Sequence, residues 1–302
     1  MYILFCHDPH HETMPDSAWL SEASAAQAAG CTLQLLDFEA IERNNWARAV
    51  RHIPFSAENG ERLAIYRGWT LTLRQYEYLY EALLSRGVRL VTAPSAYAYG
   101  RHLPEVLDDL RELTPRTVYT QTDGRQVNYD MVMNLLAPFA GRAVILRDYV
   151  RVLKRDWASA CYIASASDRA LVTQVTQRFL EQIGNRLVGG LVYREFVHFK
   201  TLIELPAHKP PLTHEYRLVY AQGQRIACLR YWDVPEVSPQ EPPLEPFAEF
   251  VARARSPFFM LDVAQHEDGT WMVIDVDDGQ IGGLPEMTDK PSFYRHLNER
   301  FS

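Results

Sequence analysis

No stretch of this chain approaches the ~20 consecutive apolar residues that a membrane-spanning helix needs, so no span is expected. Cysteine is scarce: Cys6, Cys31, Cys161 and Cys228 lie far apart and form no C-x-x-C pair. That spacing argues against a disulfide framework or a cysteine zinc site and for buried or free thiols in a reducing compartment. The G-x-x-x-x-G-K-[ST] phosphate loop, the G-x-S-x-G elbow and the dinucleotide-binding fingerprint are all missing. Net charge is −7, which argues against general adhesion to nucleic acid or an anionic membrane. The opening Met1-Tyr2-Ile3-Leu4-Phe5 has neither the basic segment nor the apolar length of a secretion signal. A soluble cytoplasmic protein is the expectation.

What is present is an ordinary globular composition, 47% hydrophobic and 23% charged over 302 residues, enough for two or three lobes. The first third alternates strand and helix. Strands are expected at Tyr2–Cys6, Thr32–Leu36, Leu63–Tyr66 and Val88–Thr92, with helices at Ser17–Ala29, near Ile41–Val50 and at Leu73–Leu84. This is the pattern of a small open α/β lobe with a largely parallel sheet. Further along, helix is expected over 95–113 and 167–183, and strand at Val118-Tyr119, Val144–Val150 and Gly189–Val197. A proline-bearing loop at 206–211 precedes a β-hairpin of Glu215–Ala221 and Arg225–Trp232, turning at Gln222-Gly223-Gln224. The proline-rich stretch 234–246 reads as an exposed loop, followed by a short helix through Glu249–Ala254.

The tail carries the strongest chemical signal. Two apolar strands, Phe258–Val263 and Gly269–Asp278, are joined by the polar turn Gln265–Thr270. Alternation places Asp275 and Asp277 on one face, and antiparallel pairing can bring Asp262 across from them. Three carboxylates on one apolar sheet repel one another unless a cation lies among them, and hard oxygen ligands suit Mg²⁺ shared with nucleotide phosphates. The alternative is a solvated hairpin end.

Cations lie upstream. The segment 142–155 holds Arg142, Arg147, Arg151, Lys154 and Arg155. Arg147 on its strand and Lys154 on the following loop suit a triphosphate; taken alone, the run reads better as a solvated face or an RNA-contact patch. Arg194-Glu195-Phe196-Val197 ends an apolar strand and could clamp an adenine, with Glu195 accepting from the exocyclic amine or a ribose hydroxyl. Arg217 and Arg230 sit among apolar residues on the two strands of the first hairpin, where burial without an anion is expensive. They could address a phosphate or a reacting carboxylate, or pair with Glu215 or Asp233. Arg67, in Tyr66-Arg67-Gly68-Trp69 after a parallel strand, could orient a substrate carboxylate, or belong to a packed turn. His7, His10 and His11 read as part of a polar loop, not as metal ligands.

In order, these motifs resemble the ATP-grasp superfamily, and more narrowly its clade named for two arginines and a lysine. The likeness is carried by Tyr66–Trp69, Asp148–Trp157, Arg194–Val197 and Asp262–Pro285. It implies an ATP-grasp fold, α/β and α+β, with a Rossmann-like lobe at 1–94, a central lobe at 95–197 and a carboxyl-terminal lobe at 198–302. It implies ATP and Mg²⁺ as cofactors and an acyl phosphate passed to an amine or thiol, from a small carboxylate or peptide. On that pattern Arg147 and Lys154 would contact phosphates, and Arg194 to Val197 would hold adenine and ribose. Arg217 and Arg230 would steady the γ-phosphate, and Asp262, Asp275 and Asp277 would carry the metal. Two positions depart from the pattern: Arg147 stands where a nucleotide lysine is expected, and Asp275 and Asp277 replace the usual glutamate and asparagine.

Overall fold

Alternating apolar strands and short helices at the amino end build a parallel sheet. The computed structural model describes residues 1–55, 61–206, 211–234 and 240–302, the side chain of Lys154 excepted. Parts of both proline-bearing loops expected from the sequence lie outside these residues. Strands β1 (Tyr2–Cys6), β2 (Thr32–Leu36), β3 (Arg62–Arg67) and β4 (Val88–Leu90) form a sheet in the order β2-β1-β3-β4, every pair parallel. β1 is buried on both faces, Leu4 and Cys6 toward Tyr66, Tyr76 and Tyr97, Ile3 and Phe5 toward Ala26 and Tyr294, which is why it reads as a continuous apolar run. The helix Leu73–Leu84 starts on a capping box, Thr72 with Gln75. Expected helix over 95–113 is broken in two, because His102 is extended (φ −104°, ψ 111°) between Pro94–Arg101 and Leu103–Leu110.

Two antiparallel sheets follow. The first joins β5 (Thr117–Gln121), β6 (Val144–Arg147), β7 (Tyr162–Ile163) and β8 (Gly190–Glu195) in the order β5-β8-β6-β7. Helices Tyr129–Leu136 and Arg169–Ile183 share a core with it. β6 stops at Arg147, short of the strand expected to run to Val150. The Asp148 carboxylate accepts from the backbone N–H of Val150, Arg151 and Val188 at 2.7, 2.6 and 3.1 Å, which turns the chain.

Past the small pair β9 (Thr201–Ile203) and β10 (Leu212–Thr213) come β11 (Glu215–Ala221), β12 (Gln224–Arg230), β13 (Phe258–Gln265) and β14 (Trp271–Asp278), ordered β12-β11-β13-β14. The β11–β12 turn has both central residues left-handed, Gln222 at φ 52° and Gly223 at φ 71°, as a tight hairpin requires. All eight residues of β13 are buried, since apolar clusters cover both of its faces.

The segment after β14 fastens this last sheet to the first. Arg67, wholly buried, donates to Glu22 from Nε and Nη2 at 3.0 and 2.7 Å. Its Nη1 meets the carbonyls of Gly279, Gln280 and Gly282 at 3.2, 2.8 and 2.8 Å. Gln280, also buried, accepts from the Tyr66 N–H at 3.1 Å and donates to the Tyr76 hydroxyl at 2.6 Å. Arg67 therefore does not stand free for a substrate carboxylate. The crevice past the β3 carboxyl end is filled by the chain's own tail, and the arginine is consumed holding it there. Among the described residues no helix is long and apolar enough to cross a membrane.

Arg67→Met leaves three carbonyls buried without this donor and the Glu22 carboxylate without its cation, still accepting from the Tyr294 hydroxyl. Breaking a buried pair from one side costs about 3–5 kcal/mol, so urea denaturation is expected to show a loss of that order. A loss below about 1 kcal/mol, the range of exposed ion pairs, would contradict this account of the clamp.

Candidate functional site

Between the β5–β8 and β11–β14 sheets lies a cavity of about 800 Å³, in the size range of small-molecule sites. Arg147, Arg194, Glu195, Phe196, Val197, Asp262 and Asp275 all line it. Residues more than a hundred positions apart in sequence therefore face one volume.

The β8 end supplies one wall. The N–H groups of Glu195 and Phe196 are already used, donating to the carbonyls of Arg116 and Ala143 at 2.8 and 2.9 Å. They cannot read a base edge. The Glu195 carboxylate meets Arg142 at 2.8 Å, so its expected role toward an amine or ribose competes with an ion pair. Phe196 lies edge-on to Tyr162 at 5.2 Å and tilted to Trp157 at 6.0 Å, forming an aromatic wall against which a flat ring can pack.

Arg194 reaches into the junction of the two sheets. Val263 pairs with Val273 and Asp262 with Asp275, so a bulge leaves Ile274 outside the ladder. Arg194 takes up the carbonyls of Ile274 and Val273 and the Thr114 hydroxyl, while its Nε has no partner among the described residues. Burial pushes this guanidinium down to about 10, against the pull of Asp275. Its contacts are those of a strut between sheets.

The acids converge, with arginines among them. Asp262 lies opposite Asp275, and Asp277 opposite Met260, one step farther along β14. Arg217 grips Asp262 with two 2.7 Å hydrogen bonds and also donates to the Gly283 carbonyl. Arg147 meets Asp275 at 3.3 Å, and Arg101 meets Asp277 at 3.5 Å. The repulsion inferred from sequence is thus relieved by three guanidinium groups. Among the described residues, no group of three or more His, Cys, Asp or Glu side chains is arranged to hold a metal ion. Asp277 is not among the residues lining the cavity and sits on the Arg101 side. The donor set facing the cavity is Asp262 with Asp275, two carboxylates of the kind that hold a hard cation jointly with phosphate oxygens.

Arg230 does not join Arg217. Arg217 is opposite Leu229 whereas Arg230 is opposite Tyr216, so the two point to different faces of the sheet, and Arg230 is exposed. The residue of β12's continuation that shares the Arg217 face is Tyr231, whose ring lies 5.2 Å from that guanidinium and which lines the cavity. Pairing continued from the turn would put Tyr231 opposite His214, on the other face; the bulge that leaves Ile226 unpaired brings it here, so strand alternation alone could not have found it. Trp157 and Arg101 were also passed over, because neither stands in a strand motif. The Lys154 side chain lies outside the described residues.

The four thiols offer no nucleophile. Cys6, Cys31 and Cys161 are buried, and burial pushes Cys6, Cys161 and Cys228 up to about 11, where the thiolate is rare at neutral pH.

Two antiparallel sheets closing on one cleft, joined to a parallel α/β lobe, define the ATP-grasp architecture. The matching family model is the ATP-grasp domain of the clade named for two arginines and a lysine, family 3. It covers residues 138–297, more than half of the chain, and the chain belongs to that family. Among solved structures, D-cycloserine synthetase DcsG is similar over 100% of both chains, at 16% identity and a TM-score of 0.60. The ATP-grasp ligase PsnB, complexed with minimal precursor, Mg and ADP, is similar over 99% of this chain and 98% of that one, at 13% identity and a TM-score of 0.54. The macrocyclase MdnC from Microcystis aeruginosa MRC, bound with precursor peptide MdnA, gives 11% identity and a TM-score of 0.55 over 98% of each chain. At such identities the likeness is one of fold. No curated protein matches the chain.

Among the described residues, one acid beside this cluster has no cation of its own. Asp278 is wholly buried, its Oδ2 has no partner there, and burial with the neighbouring Asp277 pushes its carboxyl up from 3.8 to about 7. A raised carboxyl destabilises the fold only where it must ionise. The penalty is absent below about pH 4, grows as pH rises and is complete above about pH 7. Asp278→Asn removes it, so the variant is expected to match the parent near pH 4 and to exceed it increasingly toward pH 8, by up to about 4 kcal/mol. Chemical denaturation across that range reads the difference, and a variant that is less stable at pH 8 than at pH 4 relative to the parent would contradict the assignment.

Proposed function

We propose that this chain is an ATP- and Mg²⁺-dependent ligase that joins a carboxylate to an amine or thiol through an acyl phosphate. The observation that carries the reading is the meeting of Arg147, Asp262 and Asp275 with the aromatic wall at Phe196 in one cavity of about 800 Å³. Adenine would pack on Phe196 and Trp157, and the triphosphate would run toward the paired acids. Mg²⁺, held by Asp262 and Asp275, would supply positive charge against the β- and γ-phosphates.

The arginine pairs suggest how the site accommodates that load. With Asp275 engaged in holding a cation, Arg147 would be free of its 3.3 Å contact and could turn to the anionic phosphates. A carboxylate oxygen of the acyl donor then attacks the γ-phosphorus and ADP leaves. The amine attacks the acyl carbon, phosphate departs with the bonding electrons, and the amine proton passes to solvent. No side-chain nucleophile is needed; positioning and screening of negative charge are the protein's contribution. Tyr231 beside Arg217 would border the acyl group. Peptides are a reasonable acyl donor class, since PsnB and MdnC are described with precursor peptides. We place the protein in the cytoplasm, where ATP is supplied.

A second reading, a nucleotide-binding scaffold without turnover, is favoured by one feature: Asp262 and Asp275 already have arginine partners. Binding of RNA through 142–155 is less well supported, because Arg142, Arg147 and Arg151 are paired with Glu195, Asp275 and Asp148.

Release of ADP from Mg-ATP across a panel of amino acids and short peptides separates these readings. The ligase reading expects release that needs both an acyl donor and an acceptor. It expects Arg147→Ala and Asp275→Asn each to lower kcat/KM by about 10²–10³, as loss of one electrostatic contact to the transition state does. Nucleotide binding with no release from any member of the panel would leave the scaffold reading standing.

A further inference from the structure

Behind the cleft floor, on the face of the last sheet opposite Arg217, three buried polar atoms have no partner among the described residues: His214 Nε2, Tyr216 Oη and Trp232 Nε1. They are not scattered. His214, Tyr216 and Trp232 line one small cavity together with Leu202, Glu215, Arg230 and Val234. His214 and Tyr216 are only 5% and 2% exposed, with ring centroids 5.6 Å apart.

The protonation of the histidine follows from its other contact. Gln265 Nε2 donates to the Gly269 carbonyl at 3.4 Å, which turns Gln265 Oε1 toward His214 Nδ1 at 2.9 Å. A carbonyl oxygen there requires Nδ1 to carry the hydrogen, leaving Nε2 as a bare acceptor. Trp232 Nε1–H can only donate, and the tyrosine hydroxyl can do either. One acceptor, one donor and one group of both kinds are the complement of a water molecule. A cation is unsuited, since the indole N–H would face it. Room for a water-sized sphere amounts to about 10 Å³, close to the least that admits a single molecule.

We propose that this cavity is a binding site for one ordered water. It accepts from Trp232 Nε1–H, donates to His214 Nε2 and exchanges a hydrogen bond with the Tyr216 hydroxyl, the three bonds usual for an internal water. Trp232 lines both this cavity and the large cleft. The water therefore adds a link between a stretch of cleft wall and the start of β11, beside the backbone bond from the Tyr231 N–H to the Glu215 carbonyl at 3.1 Å.

Two measurements on the full chain test this. A high-resolution crystal structure is expected to show one peak within about 3.2 Å of all three atoms, and loss of that peak in Tyr216→Phe. In ¹⁵N-indole NMR, the Trp232 resonance, assigned with Trp232→Phe, is expected to show a cross-peak to a long-lived water that Tyr216→Phe abolishes. An empty cavity in the crystal, a Trp232 indole with no water cross-peak, or a water that persists unchanged in Tyr216→Phe would each overturn the proposal. Should Tyr216→Phe fail to fold, the parent crystal and its indole spectrum still decide the question.

Discussion

The buried guanidinium of Arg67 is the constraint on which the geometry of the cleft rests. It sits at the carboxyl end of β3 and binds Glu22 on one side and three carbonyls of the Gly279–Gly282 segment on the other. That segment is the continuation of β14, the strand that carries Asp275 and Asp277. Gln280 repeats the attachment by reaching Tyr66 and Tyr76. Arg217 extends it by donating to Gly283 while holding Asp262. The amino-terminal lobe thus sets the position of the acidic hairpin through backbone carbonyls, which cannot swing away as side chains can.

A second constraint is charge. Asp262 and Asp275 face the cleft and Asp277 lies close by on the same hairpin, and three arginines from three different elements answer them. Buried carboxylates without counter-ions would cost more than a marginally stable fold tolerates. The pairs offset part of the repulsion among these carboxylates. They also make the arginines conditional: each is free to meet an anion only when its acid has another partner. Desolvation is only partly offset: the Asp278 carboxyl is pushed up to about 7, and burial pushes Asp277 up to about 6 even with Arg101 beside it.

Much of this was legible in the chain. The parallel lobe, both hairpins, the pairing of Asp262 with Asp275 and the run of strand β8 into Glu195 all follow from apolar alternation and turn residues. These are local signals, and the strands that bear them are buried as the alternation demands. The reading of Arg67 and Arg230 failed for a physical reason. An arginine after a strand advertises a need for an anion or carbonyls but not who will meet it. Arg67 found Glu22 and the tail, the latter more than two hundred residues away. Arg230 differs from Arg217 in strand parity, and a bulge sets that parity: continued from the turn, Arg230 would lie opposite Glu215 on the Arg217 face, but the register shifts between Val219 and Tyr220 and leaves Ile226 unpaired. The helices Tyr129–Leu136 and Lys290–Phe301 were missed because neither has a long clean apolar stripe.

By itself the sequence determined the inventory: an ATP-grasp order of motifs, acids on apolar strands, cations upstream, and no covalent nucleophile. Periodicity and residue chemistry are sufficient for that. Which acids face the cleft, which arginines are already spent, and where polar atoms are left without a described partner were decided only by tertiary packing. The reason is that hydrogen bonds and ion pairs are settled by distances of a few ångströms between segments far apart in the chain, and no local pattern encodes those distances.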